Sequence, residues 1–306
     1  FKKMIGTTDV AGPTEPGLKE YAKTYMKKLG SRKIFDAFYD SLDKTARENV
    51  TTKTFMQARQ VLKDNGVARI HFAHAKQNAF PATHLKGLHA AFEKISNDDD
   101  VQVIILQSDP AKAFCAGASF DELLAVKTPE QGKAFFMGFA NVINAMRRCP
   151  QPIIGRIHGK AVGGGVGLIA ACDYALATIH TEVKLSEIAI GIGPFVIAHA
   201  LMRKIGTAAL SELSLAAHAW KSADWAHAKG LLSELHSDFD ALEEAVTQHA
   251  NRLAAYTPQA VAELKKALWK GTEDWDNLLE HNAEVSGRLV LSERTQKTLH
   301  QFKSKS

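Results

Sequence analysis

Three consecutive glycines, Gly163, Gly164 and Gly165, stand between a largely apolar run, Pro152 to Ile157, and a small-residue apolar segment that ends at Cys172. The run before them reads as a buried strand and the segment after them as a helix, so the glycines fall at a strand-to-helix junction. Glycine there opens backbone dihedrals closed to other residues and lets a ligand approach the main chain. The unpaired N–H groups at the start of the helix, backed by its dipole, suit an oxygen that gains negative charge during a reaction. A plain tight turn explains the triplet equally well when it is taken alone. A second stretch shifts the balance: Ala113 to Leu124, AFCAGASFDELL, follows the apolar run Val101 to Leu106 and forms another small-residue bend. Two such bends can aim two amides at one carbonyl oxygen, the geometry of an oxyanion hole.

The ordered set AFCAGASFDEL, HGKAVGGGVGLIAACD and LSEIAIGIGP resembles the crotonase superfamily of enoyl-CoA hydratases and isomerases over roughly residues 57 to 290. In motif form it is most similar to the methylglutaconyl-CoA hydratase-like subgroup. The resemblance implies an α/β fold, a crotonase (ClpP-like) ββα spiral core with a helical C-terminal trimerisation region, to which this chain adds an N-terminal helical extension. It implies an acyl-CoA substrate, with coenzyme A as part of that substrate, no permanently bound cofactor or metal, and a homotrimer or hexamer. By the same resemblance the Ala118 and Gly164 N–H groups hold the enolate, while Lys76, Ala116 and Phe120 fall where the family binds coenzyme A.

Hydratases of the family carry one glutamate two residues after the third glycine and a second in the later SE turn. Here the second is Glu187, but the first is Gly167. Glu187 lies between Leu185 and Ile188, and burial beside an apolar thioester raises a carboxyl pKa toward neutrality. A surface glutamate at a helix start is the plainer reading of composition alone. One carboxylate suffices to move a proton between two carbons, which fits a Δ3,Δ2-enoyl-CoA isomerase; the methylglutaconyl-CoA hydratase-like subgroup that the chain resembles likewise shows glycine at the first position, so an enoyl-CoA hydratase fits as well. A different class of reading is a crotonase-fold structural subunit of a larger, mitochondrial complex, suggested by Gly167, by the altered stretch SERTQKTLHQF and by the basic N-terminal segment.

The length of 306 residues allows one large domain with additions, here divided as an extension 1–55, a spiral core 56–200 and a helical region 201–306. Residues 1–55 hold nine lysines, two arginines and seven acidic residues, and so carry most of the net charge of +5. That excess suits a protein partner docking on 1–55, or simple packing on the chain's own surface; without aromatic interleaving it is no nucleic-acid signature. Cys115, Cys149 and Cys172 lie in or beside apolar stretches and read as buried free thiols in a reducing compartment. No apolar run reaches the length of a membrane span, so a soluble chain is expected. The first residue, Phe1, is what removal of a targeting segment would leave, and the mitochondrial matrix, or otherwise the cytoplasm, is the expected location.

Along the chain, apolar spacing predicts two short helices between Gly17 and Asp43, then a hairpin of 57–63 and 67–73 around Asp64, Asn65 and Gly66. A helix is expected over 82–95, a strand over 101–106 and a long helix over 129–148 whose Phe135, Phe136 and Phe139 form a core stripe. Strands follow at 152–157, 173–178 and 183–185. Beyond Pro194 strand signals vanish, leaving helices at 195–205, 207–216, 221–230, 239–255, 257–270 and 273–291. His158 and His199 read as structural histidines, Asp121 and Glu122 as helix-start residues, and His71 and His74 lack the neighbours of a metal site.

Overall fold

The computed structural model describes residues 60–303. The two helices expected between Gly17 and Asp43, and the extension 1–55 that contains them, lie outside the described residues.

Asn65 and Gly66, both at positive φ, turn the chain between β1 (Gln60–Asp64) and β2 (Val67–Phe72). Asp64 pairs with Val67, which leaves the two-residue loop that such dihedrals favour. Every later strand of this sheet runs parallel to its neighbour: β3 (Val103–Ser108), β4 (Ile153–Ile157), β6 (Tyr174–Thr178) and β9 (Glu234–His236), in the order β1-β2-β3-β4-β6-β9. Strands buried on both faces need apolar side chains on both, which is why β3 opens with the run Val103–Leu106 and β4 with Ile153 and Ile154. A smaller sheet joins β5 (Lys160–Val162), β7 (Glu182–Lys184) and β8 (Lys221–Ser222).

Helices cover both faces of the large sheet. On one side α7 (Phe239–Ala254) sets Leu242, Val246 and Ala250 against Val103, Ile105 and Ile154. Under α7 lies a polar layer: Arg69 donates to Glu243 at 2.7 Å and to Gln107 at 2.9 Å, and the fully buried Arg156 donates to the Ser108 carbonyl at 2.6 Å. Such a layer fixes the register of helix on sheet because each charge needs its partner.

The opposite face carries the main core and positions the site. It holds α1 (Ala82–Ser96), α3 (Pro129–Arg148), α4 (Gly164–Ala171), α5 (Phe195–Leu215) and α9 (Trp275–Val290). Thr128 caps α3 by accepting from the Gln131 N–H, with Pro129 at its first position, and Glu130 and the Arg147–Arg148 pair match the helix dipole at either end. Helix α4 is apolar all round and buried all round. Helices α3 and α9 cross backbone to backbone: a Cβ on Gly132 would lie 2.6 Å from Gly287 Cα. The remaining helices are α2 (Phe120–Ala125), α6 (Ala223–Ala228), α8 (Pro258–Leu268) and α10 (Glu293–Lys303). Among the described residues no helix is long and apolar enough to cross a membrane.

Three expectations need correction. Strands do continue past Pro194, as β8 and β9; at two and three residues they are too short to show alternation. The helix expected at 221–230 is accordingly the shorter α6, preceded by β8. The strand after α1 runs 103–108 rather than 101–106, since the Gln102 and Val103 N–H groups are held by the Gly66 carbonyl at the strand's entry. The break expected after 205 is present as Gly206, at φ 74° and ψ 165°, inside α5.

Candidate active site

The two bends singled out in the sequence meet. Gly117, at φ 85°, ends the first, and a Cβ placed on it would lie 3.0 Å from the Val162 carbonyl oxygen and 3.7 Å from the Gly164 nitrogen. The Cys115 N–H donates to the Lys160 carbonyl and the Val162 N–H to the Cys115 carbonyl, a short parallel bridge that ties one bend to the strand feeding the other. On the other side Phe80 donates to the Gly117 carbonyl at 2.7 Å and accepts from the Ser119 N–H at 2.8 Å. These bonds bracket Ala118. Neither the Ala118 N–H nor the Gly164 N–H donates to an acceptor among the described residues, and both residues line one pocket. Gly163, at φ 51° and ψ −118°, precedes α4 in a conformation that suits glycine.

The pocket spans about 710 Å³, counting the space at its open mouth. Its walls are mostly apolar: Leu123 of α2, Phe135, Phe136 and Phe139 of α3, Ile190 and Ile192 of the loop after β7, and Val196 and Ile197 of α5. The aromatic stripe of α3, expected to serve the core alone, thus does two jobs. Phe139 is buried in the core and touches the Gly164 bend, while Phe135 and Phe136 are half-buried and face the pocket.

Glu187 opens a single 3₁₀ turn (Ile188–Ile190), and its carbonyl accepts the Ile190 and Ile192 N–H groups. This loop sets the carboxyl against Gly163, where a Cβ would lie 2.6 Å from Oε1. Oε2 is closed to solvent and has no hydrogen-bond partner. Burial raises the Glu187 pKa from the usual 4.5 to about 7, against the smaller opposite effect of the Glu187 and Ser186 backbone N–H groups. The residue as a whole is half-buried; its carboxyl end is what leaves the water.

This shift has a measurable sign. A carboxyl raised on folding contributes stability that is full below 4.5 and is lost as pH rises through about 7. Glu187→Gln, which cannot ionise, is therefore expected to gain stability over the unaltered protein at pH 8 relative to their difference at pH 4.5. Urea unfolding at both values tests this, and an equal difference at the two pH values would count against a buried, unpaired carboxyl.

Of the expected coenzyme A contacts, Ala116 and Phe120 line the pocket and Lys76 does not. The Lys76 ammonium is exposed and paired with Asp121, in the first turn of α2 next to Phe120. Glu122 accepts the Ala82 N–H at 2.7 Å, so both acidic residues of this turn have structural partners. Gly167 lies one turn into α4, buried, and a Cβ there would stand 2.4 Å from Ile197 Cγ2. A side chain at that position has no room while Ile197 keeps its place.

His71 and His158 are buried, and desolvation with the nearby Arg156 charge pushes each pKa down to about 3. They stay neutral, and His158 Nε2 bonds the Asp109 carbonyl, in keeping with a structural role. Cys115, beneath the first bend, is free and buried, its thiol pushed up to about 12 by desolvation; Cys149 and Cys172 are likewise free and buried. The stretch SERTQKTLHQF forms most of α10, where Thr295 Oγ1 donates to the Gly191 carbonyl at 2.9 Å and Leu299 packs with Leu123, Leu124 and Ile192. It therefore braces the Glu187 loop and the pocket wall, a role that no motif in the sequence announced.

Comparison with known proteins follows the same lines. A model of the enoyl-CoA hydratase/isomerase family matches residues 62–306. The chain is 31% identical to mitochondrial methylglutaconyl-CoA hydratase of Mus musculus, over 73% of this chain and 73% of that protein. It is 28% identical to the short-chain-enoyl-CoA hydratase of Clostridium acetobutylicum, over 71% of this chain and 82% of that one. To mitochondrial Delta(3,5)-Delta(2,4)-dienoyl-CoA isomerase of Mus musculus it is 28% identical, over 61% and 60%. Among solved structures, an enoyl-CoA hydratase/carnithine racemase from Magnetospirillum magneticum superposes with a TM-score of 0.65 at 30% identity, covering 69% of this chain and 79% of that chain. An enoyl-CoA hydratase from Bacillus halodurans, at 22% identity, shares the fold with a TM-score of 0.73 over 79% of this chain and 98% of that chain.

Proposed function

We propose, from the premise that this chain belongs to the enoyl-CoA hydratase/isomerase family, that it shifts the double bond of an enoyl-CoA thioester with Glu187 as its single acid/base. The observation that carries this reading is the pairing, in one pocket, of a buried carboxyl near neutral pKa with two main-chain N–H groups that have no acceptor among the described residues. Coenzyme A enters as part of the substrate. Its thioester oxygen takes the Ala118 and Gly164 N–H groups, and the first bend around Ala116 and Phe120 guides the rest of the carrier to the mouth.

The chemistry needs one proton and one carboxylate. Ionised Glu187 removes a proton from C2 of a 3-enoyl thioester; the C–H electron pair forms a C1–C2 double bond as the carbonyl π pair moves onto the thioester oxygen, giving a dienolate. Ala118 and Gly164 stabilise that oxygen where the negative charge develops. The protonated Glu187 then returns its proton at C4: the oxygen pair re-forms the carbonyl, the C1–C2 pair shifts to C2–C3 and the C3–C4 π pair takes the proton, giving the 2-enoyl product with no change in mass. The Ile197 side chain covers Gly167, and among the described pocket-lining residues Glu187 is the sole carboxylate. That favours isomerisation over addition of water, because hydration calls for a base on water as well as an acid at the α carbon.

The test is incubation of the purified protein with 2-enoyl, 3-enoyl and 3-methylglutaconyl thioesters, read by mass and absorbance. A 3-enoyl substrate should gain the absorbance of a conjugated thioester at constant mass. Addition of the mass of water to any of them makes the protein a hydratase, and inertness toward all of them leaves the structural-subunit reading.

A further inference from the structure

Among the described buried side-chain atoms that lack any hydrogen-bond partner, two belong to residues on the pocket wall: Glu187 Oε2 and Ser286 Oγ. Ser286 lies in the middle of α9, wholly buried at 0% exposure. A serine inside a helix ordinarily bonds back to a carbonyl of the preceding turn, and Ser286 makes no such bond. An unsatisfied buried hydroxyl is unfavourable, and on a pocket wall a ligand oxygen that parts the side chains covering it satisfies it.

Its end of the pocket follows from α3. The Gly132–Gly287 crossing, with a Cβ on Gly287 only 2.6 Å from the Lys133 nitrogen, holds Ser286 rigidly beside the N-terminal turn of α3. Phe139, seven residues further along α3, is the ring against Gly164. At the rise of an α-helix that separation is about 10 Å. Between the two ends the lining is apolar, and no lysine, arginine or histidine is among the described lining residues. A carboxylate buried there would be desolvated without a cation, whereas a neutral oxygen would not.

We propose that Ser286 selects acyl chains bearing a neutral oxygen, a hydroxyl or a carbonyl, placed to reach the end of the pocket beside the N-terminal turn of α3. The inference deepens the reading of this pocket as an enoyl-CoA site and rests on it. Unsubstituted chains of equal length fit the same walls but leave the hydroxyl unpaired, and carboxylated chains are disfavoured.

Calorimetric titration with saturated acyl-CoA pairs of equal length, one plain and one carrying a distal hydroxyl or keto group, tests the proposal without relying on turnover. Ser286→Ala should bind the oxygenated thioester about tenfold more weakly than the unaltered protein and the plain one equally well. Its melting temperature should hold or rise, since the substitution removes an unsatisfied group. Equal losses for both ligands, no loss for either, or a lower melting temperature without discrimination would overturn the proposal and make the hydroxyl structural. If the unaltered protein binds both thioesters yet turns over neither unsaturated counterpart, the reaction falls and the selectivity is judged on binding. If it binds neither, both readings fall.

Discussion

Glu187→Gln is expected to lower turnover of a 3-enoyl thioester by a factor of about 10² or more, the range that a positioned acid/base supplies. Glutamine keeps the shape of the side chain and, in a site where Oε2 has no partner, breaks no hydrogen bond of that atom. It cannot accept or return the proton. Binding of a saturated thioester should change little, because the Ala118 and Gly164 N–H groups and the apolar walls are intact; the loss belongs in kcat more than in KM. Since in the proposed reaction only the ionised carboxylate starts the chemistry, activity of the unaltered protein should rise with pH through about 7, and the variant should lack that rise. Full turnover in a folded Glu187→Gln protein would end the assignment and leave the fold without its acid/base.

Gly164→Ala is expected to cost a factor of about 10² to 10³ in kcat/KM, comparable to loss of one oxyanion donor. The N–H is retained, so the effect is one of position. A methyl on Gly164 would lie 2.3 Å from Phe139 Cζ and 2.4 Å from its Cε1, closer than two carbons can stand. Either the ring swings into the pocket or the bend shifts away from Ala118. Combining the change with Phe139→Leu should recover part of the activity, which distinguishes a collision from a general loss of structure. Unaltered activity in the single variant would mean that the bend does not hold the reacting oxygen.

The sequence carried the bends and the Glu187 carboxyl because each depends on local chemistry. Glycines at 117 and 163 sit at positive φ, and a carboxylate at 187 stands in an apolar neighbourhood; both signals lie in consecutive residues. Long apolar runs likewise announced β3 and β4, although the true start of β3 depended on which carbonyl held its entry. What escaped was set by distant contacts. Strand β9 is made by pairing with β6, from Leu176↔Glu234 to Thr178↔His236, and its three residues show no pattern of their own. The pocket side of Phe135 and Phe136 depends on where α9 and α10 lie, since periodicity marks an apolar face without saying what covers it. The same holds for Ser286, an ordinary helix serine until the Gly132–Gly287 crossing puts it on the pocket wall. The glycine at 167 was visible as a missing carboxylate; that Ile197 fills its place was not.

The brace between Thr295 and the Gly191 carbonyl spans 104 positions of the chain. A Cβ on Gly191 would lie 2.3 Å from Thr295 Oγ1, so loop and helix are interlocked as well as bonded. During synthesis, then, both bends and the Glu187 loop leave the ribosome long before the segment that steadies them. The proposed reactivity would then arrive as a late event, after the segment from Glu293 onward has emerged and docked, and a prematurely stopped product would possess both bends and Glu187 yet lack the clasp that steadies them.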